Sequence, residues 1–313
     1  RLERLDAVAG ELADIVWVDL LEPSDGERAQ LEARLDLRLP TRAEIEEIEV
    51  SSRLYYDGDV PYMTVIVPAR AARPDVAMAP VTFILAAGRL VTLRFDDPQA
   101  FADFPRRAER MALGCEDAEG VLMALLEAVV DRLADVLERA GGEVDALARV
   151  VFQQDGKADP VRRGFKDILR QLGQQGDLNS KVLDSLMSLD RLAGFFGHVQ
   201  VQRSTGKESR ARLETLARDV SSLTEHAGFL NQKITFLLDA TLGLINIEQN
   251  DIIKIFSVVA VVFLPPTLIA SIYGMNFDHM PELDWLLGYP AAIGLMVVSA
   301  IMPYLYFKRR GWL

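Results

Sequence analysis

The chain has 313 residues, with 34 lysines plus arginines against 46 aspartates plus glutamates, a net charge of −12 and a pI near 4.9; this balance argues against nucleic acid as a partner, because phosphate binding needs a basic face. One cysteine, Cys115, excludes an intramolecular disulfide and fits a reducing compartment. Mean hydropathy is nevertheless +0.13 with 26% of residues charged, so the apolar residues must be concentrated in one part of the chain.

Residues 1–116 read as an α/β domain. The opening stretch RLERLDAVAGELADIVWVDL has no long apolar core, so no cleavable signal peptide is expected. Ile15–Leu20 has the character of a strand, and Ser24 with Glu27, then Thr41 with Glu44, carry the spacing of a capping box at a helix start. Tyr62–Val67, Val81–Ala86 and Leu90–Phe95 predict three more strands. Ala87-Gly88 joins the last two as a hairpin, and Asp57-Gly58 marks another turn.

Residues 117–208 read as helical. From Val121 to Leu137 apolar residues recur every three or four positions, the pattern of an amphipathic helix. Gly141-Gly142 is expected to interrupt it, and Asp155-Gly156 with Pro160 to form a bend. A second helical stretch runs from Arg163 to about Gln202, Ser204–Gly206 forms a loop, and a third helix begins near Lys207. Residues 209–273 contain no proline before Pro265 and predict one stalk helix, roughly 90–100 Å long at 1.5 Å per residue. One small domain cannot bury a helix of that length, which suggests packing between subunits.

Two stretches account for the hydropathy. Ile255–Tyr273, the end of the stalk helix, has nineteen residues without a charge, and Trp285–Phe307 has twenty-three. Each is long enough to cross a ~30 Å hydrocarbon core, and core helices of soluble proteins are rarely apolar on every face over such lengths. Lys308, Arg309 and Arg310 follow the second span, whereas the connection 274–284 holds Asp278, His279, Glu282 and Asp284 and no lysine or arginine. The basic tail 308–313 and the N-terminal domain are therefore expected in the cytoplasm, with the connection on the other side of the membrane.

On the stalk helix a seven-residue repeat collects polar and small residues in two columns. One reads Asn250, Ser257, Leu264, Ser271; the other reads Asp239, Asn246, Ile253, Ala260, Thr267, Gly274. Close helix packing explains small and hydroxylated residues on one face, and so does a pore wall to which each subunit gives one helix. Asp239 and Asn246 tilt the balance towards a pore, since a coiled-coil core would place leucines there. Two spans per chain cannot enclose a pathway, so a pore requires an oligomer.

At the outer end of the first span stand Tyr273-Gly274-Met275-Asn276-Phe277 and then Met280-Pro281-Glu282-Leu283; Pro265-Pro266 lies within the span, and Lys308-Arg309-Arg310-Gly311-Trp312-Leu313 ends the chain. This pattern resembles the CorA family of magnesium and cobalt transport proteins, whose signature is a Gly-Met-Asn triplet ending the first of two C-terminal spans. The resemblance is closest over Ile245–Leu313. It implies a homopentameric channel in the lipid bilayer, carrying Mg2+, also Co2+ and, by hydrated size, Ni2+, down the electrochemical gradient, with no cofactor and with Mg2+ as both transported and regulatory ion.

The resemblance also implies a selectivity filter of Gly274, Met275 and Asn276, in which Gly274 and Asn276 meet the ion through its hydration shell. Mg2+ dehydrates reluctantly, and neutral amide and carbonyl oxygens can hold its waters without stripping them. Glycine at 274 is read as allowing a left-handed exit from the helix. Asp239, Asn246, Asn250, Ile253, Ser257, Leu264, Thr267 and Ser271 become pore-lining, with Asp239 also near the metal path, Ile253 and Leu264 as dewetting collars, and Glu282 as an acid focusing cations at the entrance. The resemblance implies a cytoplasmic gate that senses Mg2+, with Asp96, Asp97, Glu208, Glu214 and Asp219 as candidate acids, although an ordinary solvated surface is the better explanation for most of these carboxylates. A zinc transporter of the same superfamily and a membrane-anchored sensor without flux are the alternatives; Met275 in the triplet favours magnesium. An enzyme is not expected, since His198, His226 and His279 are far apart and no nucleophile or metalloprotease motif is present.

Overall fold

A computed structural model describes residues 15–47, 49, 53–69, 77–110, 114–152, 164–203, 205–276, 280–281 and 285–312. These divide into two compact units, one ending at Leu238 and one beginning at Asp239.

The first unit carries a sheet of β1 (Trp17–Leu21), β2 (Leu54–Asp57), β3 (Val60–Pro68), β4 (Met78–Ala86) and β5 (Arg89–Arg94), in the order β1-β5-β4-β3-β2. β1 lies parallel to β5 and every other neighbour is antiparallel. The ends of the expected strands are displaced by up to three residues; β2 was not expected, being only four residues (LYYD) long. Ala87 and Gly88 take φ of 48° and 74°, the two left-handed residues of a hairpin turn whose twist matches its strands.

Both capping boxes form. The Ser24 amide donates to Glu27 Oε2 at 2.8 Å and opens α1 (Asp25–Leu35). The Thr41 amide donates to Glu44 Oε2 at 2.7 Å and opens α2 (Arg42–Glu46). Hydrogen bonds from the Ser24 hydroxyl and amide lower the Glu27 pKa, and the Thr41 amide leads the same effect at Glu44. These helices cover one face of the sheet, where Leu31, Leu39 and Ile45 pack with Tyr62, Ile84, Val91 and Leu93. The opposite face, with Met63, Val65, Phe83, Leu85 and Leu90 fully buried, lies under α3 (Gln99–Arg110), α4 (Ala118–Phe152) and α5 (Phe165–Gln202).

α4 does not break at Gly141-Gly142 as the sequence suggests. The buried series Val136, Leu137, Ala140, Val144, Leu147 and Val151 continues straight through, and its packing outweighs the roughly 1 kcal/mol that each glycine costs a helix. The proposed bend at Asp155-Gly156 and Pro160 lies outside the described residues, as does Ser204. α5 closes the sheet edge that short β2 leaves open: the Ile66 amide donates to Ser188 Oγ at 3.1 Å, and Ser185 Oγ donates to the Ile66 carbonyl at 2.5 Å. An uncovered strand edge would otherwise invite pairing with another chain.

One polar chain crosses the sheet where β1 meets β5. The Trp17 indole donates to Thr92 Oγ1 at 3.0 Å, which donates to Asp19 Oδ1 at 2.6 Å. Arg94 is 8% exposed and ion-pairs Asp19 at 2.8 Å and Asp97 at 2.9 Å, with its guanidinium 5.1 Å from the Phe101 ring centroid. Burial by itself lowers the Arg94 pKa, but the hydrogen bonds and charge of Asp19, then Asp97, raise it above the ordinary arginine value.

α6 (Lys207–Tyr273) gives its first part to this unit, with Leu213, Leu216, Val220, Ala227, Leu230, Ile234 and Leu237 buried at helical spacing. The second unit comprises the end of α6 and α7 (Gly288–Arg309). Among its described residues only Thr241 and Val258 are buried. Phe256 is 71% exposed, Phe263 65% and Leu264 66%. A monomeric soluble protein does not leave such a surface open.

Candidate functional site

Both helices of the second unit are long and apolar enough to cross a membrane, and they lie almost wholly exposed, which a soluble core helix never does. Each has one shielded stripe. On α6 it is Val258, Val262, Pro265, Pro266, Ile269 and Tyr273; on α7 it includes Ala292, Met296, Ala300, Pro303 and Phe307. At about 100° per residue the seam residues Ser257, Leu264 and Ser271 point away from the α6 stripe by roughly 120–160°. Asp239, Asn246, Asn250, Ile253, Ser257, Leu264, Thr267 and Ser271 are all exposed in the single chain. The helix therefore has two working faces, a shielded apolar one and an open polar one.

The hydroxyls on the open face have a defined direction. Ser257 Oγ donates to the Ile253 carbonyl at 2.8 Å, and Thr267 Oγ1 donates to the Phe263 carbonyl at 2.7 Å. With its hydrogen committed to the preceding turn, each oxygen offers only lone pairs outward. Pro265 and Pro266 stay inside an unbroken α6. Having no N–H, they withdraw the usual donors from the Val261 and Val262 carbonyls, which adds acceptors to the same stretch.

The triplet closes the helix tightly. The Gly274 amide donates to the Ala270 carbonyl at 2.9 Å and the Met275 amide to the Ile272 carbonyl at 3.3 Å, a last turn narrowing to three-residue spacing. Gly274 is not left-handed, contrary to the sequence expectation. A Cβ there would lie 3.0 Å from the Ala270 carbonyl oxygen, so close approach to that turn, and not positive φ, accounts for the glycine. Met275 and Asn276 follow as exposed, non-helical residues. Glu282 and His279 lie outside the described residues.

The cytoplasmic acids do not assemble within one chain. Asp97 is held by Arg94, Asp96 gives its carbonyl to the same guanidinium, and Glu208, Glu214 and Asp219 are exposed along α6. Among the described residues no three histidine, cysteine, aspartate or glutamate side chains gather where a metal ion could be held. Two features were not anticipated from sequence. The Arg94 cluster depends on the register that sets Asp19 opposite Thr92 and Leu21 opposite Arg94. The cations Lys308 and Arg310 sit over the rings of Tyr304 and Tyr306, a pairing whose four-residue spacing is visible in YLYFKRR.

Residues 13–309 match the family of CorA-like Mg2+ transporter proteins. The chain is 42% identical over 316 residues to the magnesium transport protein CorA of Yersinia pseudotuberculosis, covering 100% of this chain and 97% of that protein. It is 41% identical over 314 residues to the protein of the same name from Salmonella typhimurium, with the same two coverages. Among solved structures, the CorA magnesium transporter of Methanocaldococcus jannaschii superposes with a TM-score of 0.77 at 20% identity, over 99% of this chain and 95% of that one, a likeness of fold. With two exposed apolar helices following an α/β domain, and full-length relatives at this identity, the chain is an inner-membrane protein of the CorA-like Mg2+ transporter family, a transporter and not an enzyme.

Proposed function

We propose that five copies of this chain form a Mg2+ influx channel whose wall is the open polar face of α6. The observation that carries this reading is the separation of faces: the seam from Asp239 to Ser271 is exposed and lies opposite the stripe shielded in the single chain, and it runs out at Gly274-Met275-Asn276. In this reading α7 stands outside, towards lipid. In the terms used for the sequence, the α/β domain 1–116, the helical region 117–208, the stalk helix 209–273, the outer loop 274–284, the second span 285–307 and the tail 308–313 are the parts of that assembly.

In this reading Asn276 amide oxygens and Gly274 carbonyls meet the hydrated ion at the mouth, with Glu282 concentrating cations before it. Below them Ser271, Thr267, Ser257 and Asn250 accept hydrogen bonds from the water shell, Leu264 and Ile253 form dewetting collars, and Asn246 and Asp239 receive the ion at the inner end. The membrane potential drives a doubly charged ion inward by about 4.6 kcal/mol per 100 mV. Co2+ and Ni2+, similar in hydrated size, share the path. Cytoplasmic Mg2+ bound between subunits closes it; among the described residues of one chain no three side chains gather where an ion could be held.

The test is flux into liposomes loaded with a magnesium-sensitive dye. Asn276→Ala is expected to cut uptake at least tenfold while the protein retains its oligomer size in detergent. Uptake equal to wild type in that variant, or a wild-type mass of one or two chains, removes the proposal.

A further inference from the structure

The C-terminal end of α7 is a closed turn, not a fraying tail. The helix caps at Arg310; the Gly311 amide donates to the Lys308 carbonyl at 3.2 Å, and the Trp312 amide reaches back to the Phe307 carbonyl at 3.1 Å. Gly311 supplies the left-handed residue at φ 72°. These two bonds make a Schellman closure, and its apolar contact is present: the Trp312 and Phe307 rings stack with centroids 5.3 Å apart and 28° between planes. The last carbonyls are thus met by backbone amides, and the cationic side chains of this turn are not needed for that task.

Those cations are Lys308, Arg309 and Arg310, all exposed. Among the described residues none of the three is in an ion pair. Lys308 Nζ lies 5.9 Å from the Tyr304 ring centroid and Arg310 Cζ 5.5 Å from that of Tyr306. Tyr304, Tyr306 and Trp312 are themselves 43%, 54% and 44% exposed. Where the apolar residues of the span stop, α7 therefore presents an aromatic band topped by three positive charges with no ion pair among the described residues.

We infer that this turn binds the phosphate of an anionic phospholipid in the cytoplasmic leaflet. Tyrosine and tryptophan favour the headgroup level, with an apolar ring body and a polar edge. Lysine and arginine donors directly above them sit at the depth of the lipid phosphates and answer their charge. A zwitterionic headgroup brings its own ammonium and competes with these side chains, so the preference is for lipids of net negative charge. The cation–ring contacts keep Lys308 and Arg310 from sampling free rotamers, which lowers the entropy lost on binding.

The test uses the full-length protein in detergent, incubated with dioleoyl phosphatidylglycerol or dioleoyl phosphatidylcholine at equal concentration, and counts retained lipids by native mass spectrometry. Phosphatidylglycerol is expected to be retained in preference. Arg310→Gln, which leaves two cations to hold the membrane orientation, lowers that retention roughly fivefold, and the combined Lys308→Gln, Arg309→Gln, Arg310→Gln variant lowers it about a hundredfold. Arg310→Lys preserves retention, and Tyr306→Leu, which keeps every charge, reduces it about threefold. Equal retention of both lipids by the wild type, or undiminished phosphatidylglycerol on the triple variant, overturns the inference. Displacement of the lipid by soluble glycerol 3-phosphate overturns it too, since the turn would then read a free phosphate. None of these readouts involves ion flux, so this inference and the transport proposal fail separately.

Discussion

Asp19→Asn tests whether the polar cluster of the α/β domain is held by charge. In the wild type the Arg94 guanidinium, 8% exposed, faces Asp19 through Nε at 3.1 and 3.2 Å and Nη2 at 2.8 Å, and faces Asp97 through Nη1 at 2.9 Å. Breaking a buried ion pair by removing one partner costs about 3–5 kcal/mol, because a desolvated charge is left uncompensated. Asp19 is 25% exposed and Asp97 remains, so about 2–3 kcal/mol is expected. The amide oxygen of asparagine still accepts from Thr92, which isolates the effect of charge. At roughly 2–4 °C per kcal/mol for a domain of this size, the unfolding midpoint falls by about 4–12 °C. Trp17, tied to the cluster through Thr92, reports the transition by fluorescence in a Trp285→Phe, Trp312→Phe background. The double change Asp19→Asn, Arg94→Met removes the orphaned cation and should recover most of the loss. A single variant melting with its parent, or a double variant melting below the single one, refutes the reasoning.

Gly141→Ala and Gly142→Ala should each raise the stability of the cytoplasmic domain by about 0.4–1 kcal/mol, since a Cβ meets nothing within 4 Å at either position; urea midpoints measure it, and a loss would mean the glycines are needed for a contact outside the single chain. Burial raises the Tyr62 pKa to about 12 from 10.0, with its hydroxyl donating to the Arg38 carbonyl at 2.7 Å. The unfolded chain then ionises first, so stability is lost as pH rises from about 10 towards 12, by on the order of 2 kcal/mol, and Tyr62→Phe should flatten that alkaline limb. In a Cys115→Ser background, Ser257→Cys should react with a charged, water-soluble thiol reagent and block flux, while Val258→Cys, one residue round on the shielded stripe, should not; an unreactive Ser257→Cys would place the seam in a packed interface.

What the sequence makes legible is whatever repeats along one element. The two spans, the seam and the helices after Val121 announce themselves by composition or by a three-to-four spacing, and the two capping boxes by a local pair. Contacts between distant parts of the chain do not. Asp19, Thr92 and Arg94 form one cluster only because β1 lies parallel to β5 in a particular register, a fact carried by neither strand alone. Ser185 and Ser188 read as ordinary polar positions of α5 until Ile66 is seen at an open strand edge more than a hundred residues away. β2 is too short to show alternation. Gly141-Gly142 misleads because propensity is local while the burial of Val144 and Leu147 is not. At Gly274 the sequence suggests a left-handed exit, whereas the closeness of its Cβ position to the Ala270 carbonyl depends on backbone geometry that residue type does not reveal.

The chemistry of the seam bears on how an ion could pass along it and still leave. A hydrated cation turns its water hydrogens outward and so needs acceptors. Ser257 and Thr267, having given their hydrogens to the backbone, are acceptors. Between Asn276 and Asn246 these acceptors are neutral, each holding a water by a hydrogen bond of about 1 kcal/mol net. A carboxylate at a few ångströms in a medium of intermediate dielectric would contribute several kcal/mol per ring member and trap a divalent ion. Asp239, the one formal charge in the seam, falls roughly 50 Å along the helix from Gly274, outside the apolar stretch. Geometry adds a further condition. A seven-residue repeat drifts about 20° per heptad on a straight helix, so the seam turns by about 80° between Asn246 and Gly274. In the channel proposed above, built of upright straight helices, Gly274 and Asn246 could not both face the axis. That proposal therefore requires helices that cross the axis obliquely, at an inclination that sets which acceptors the ion meets.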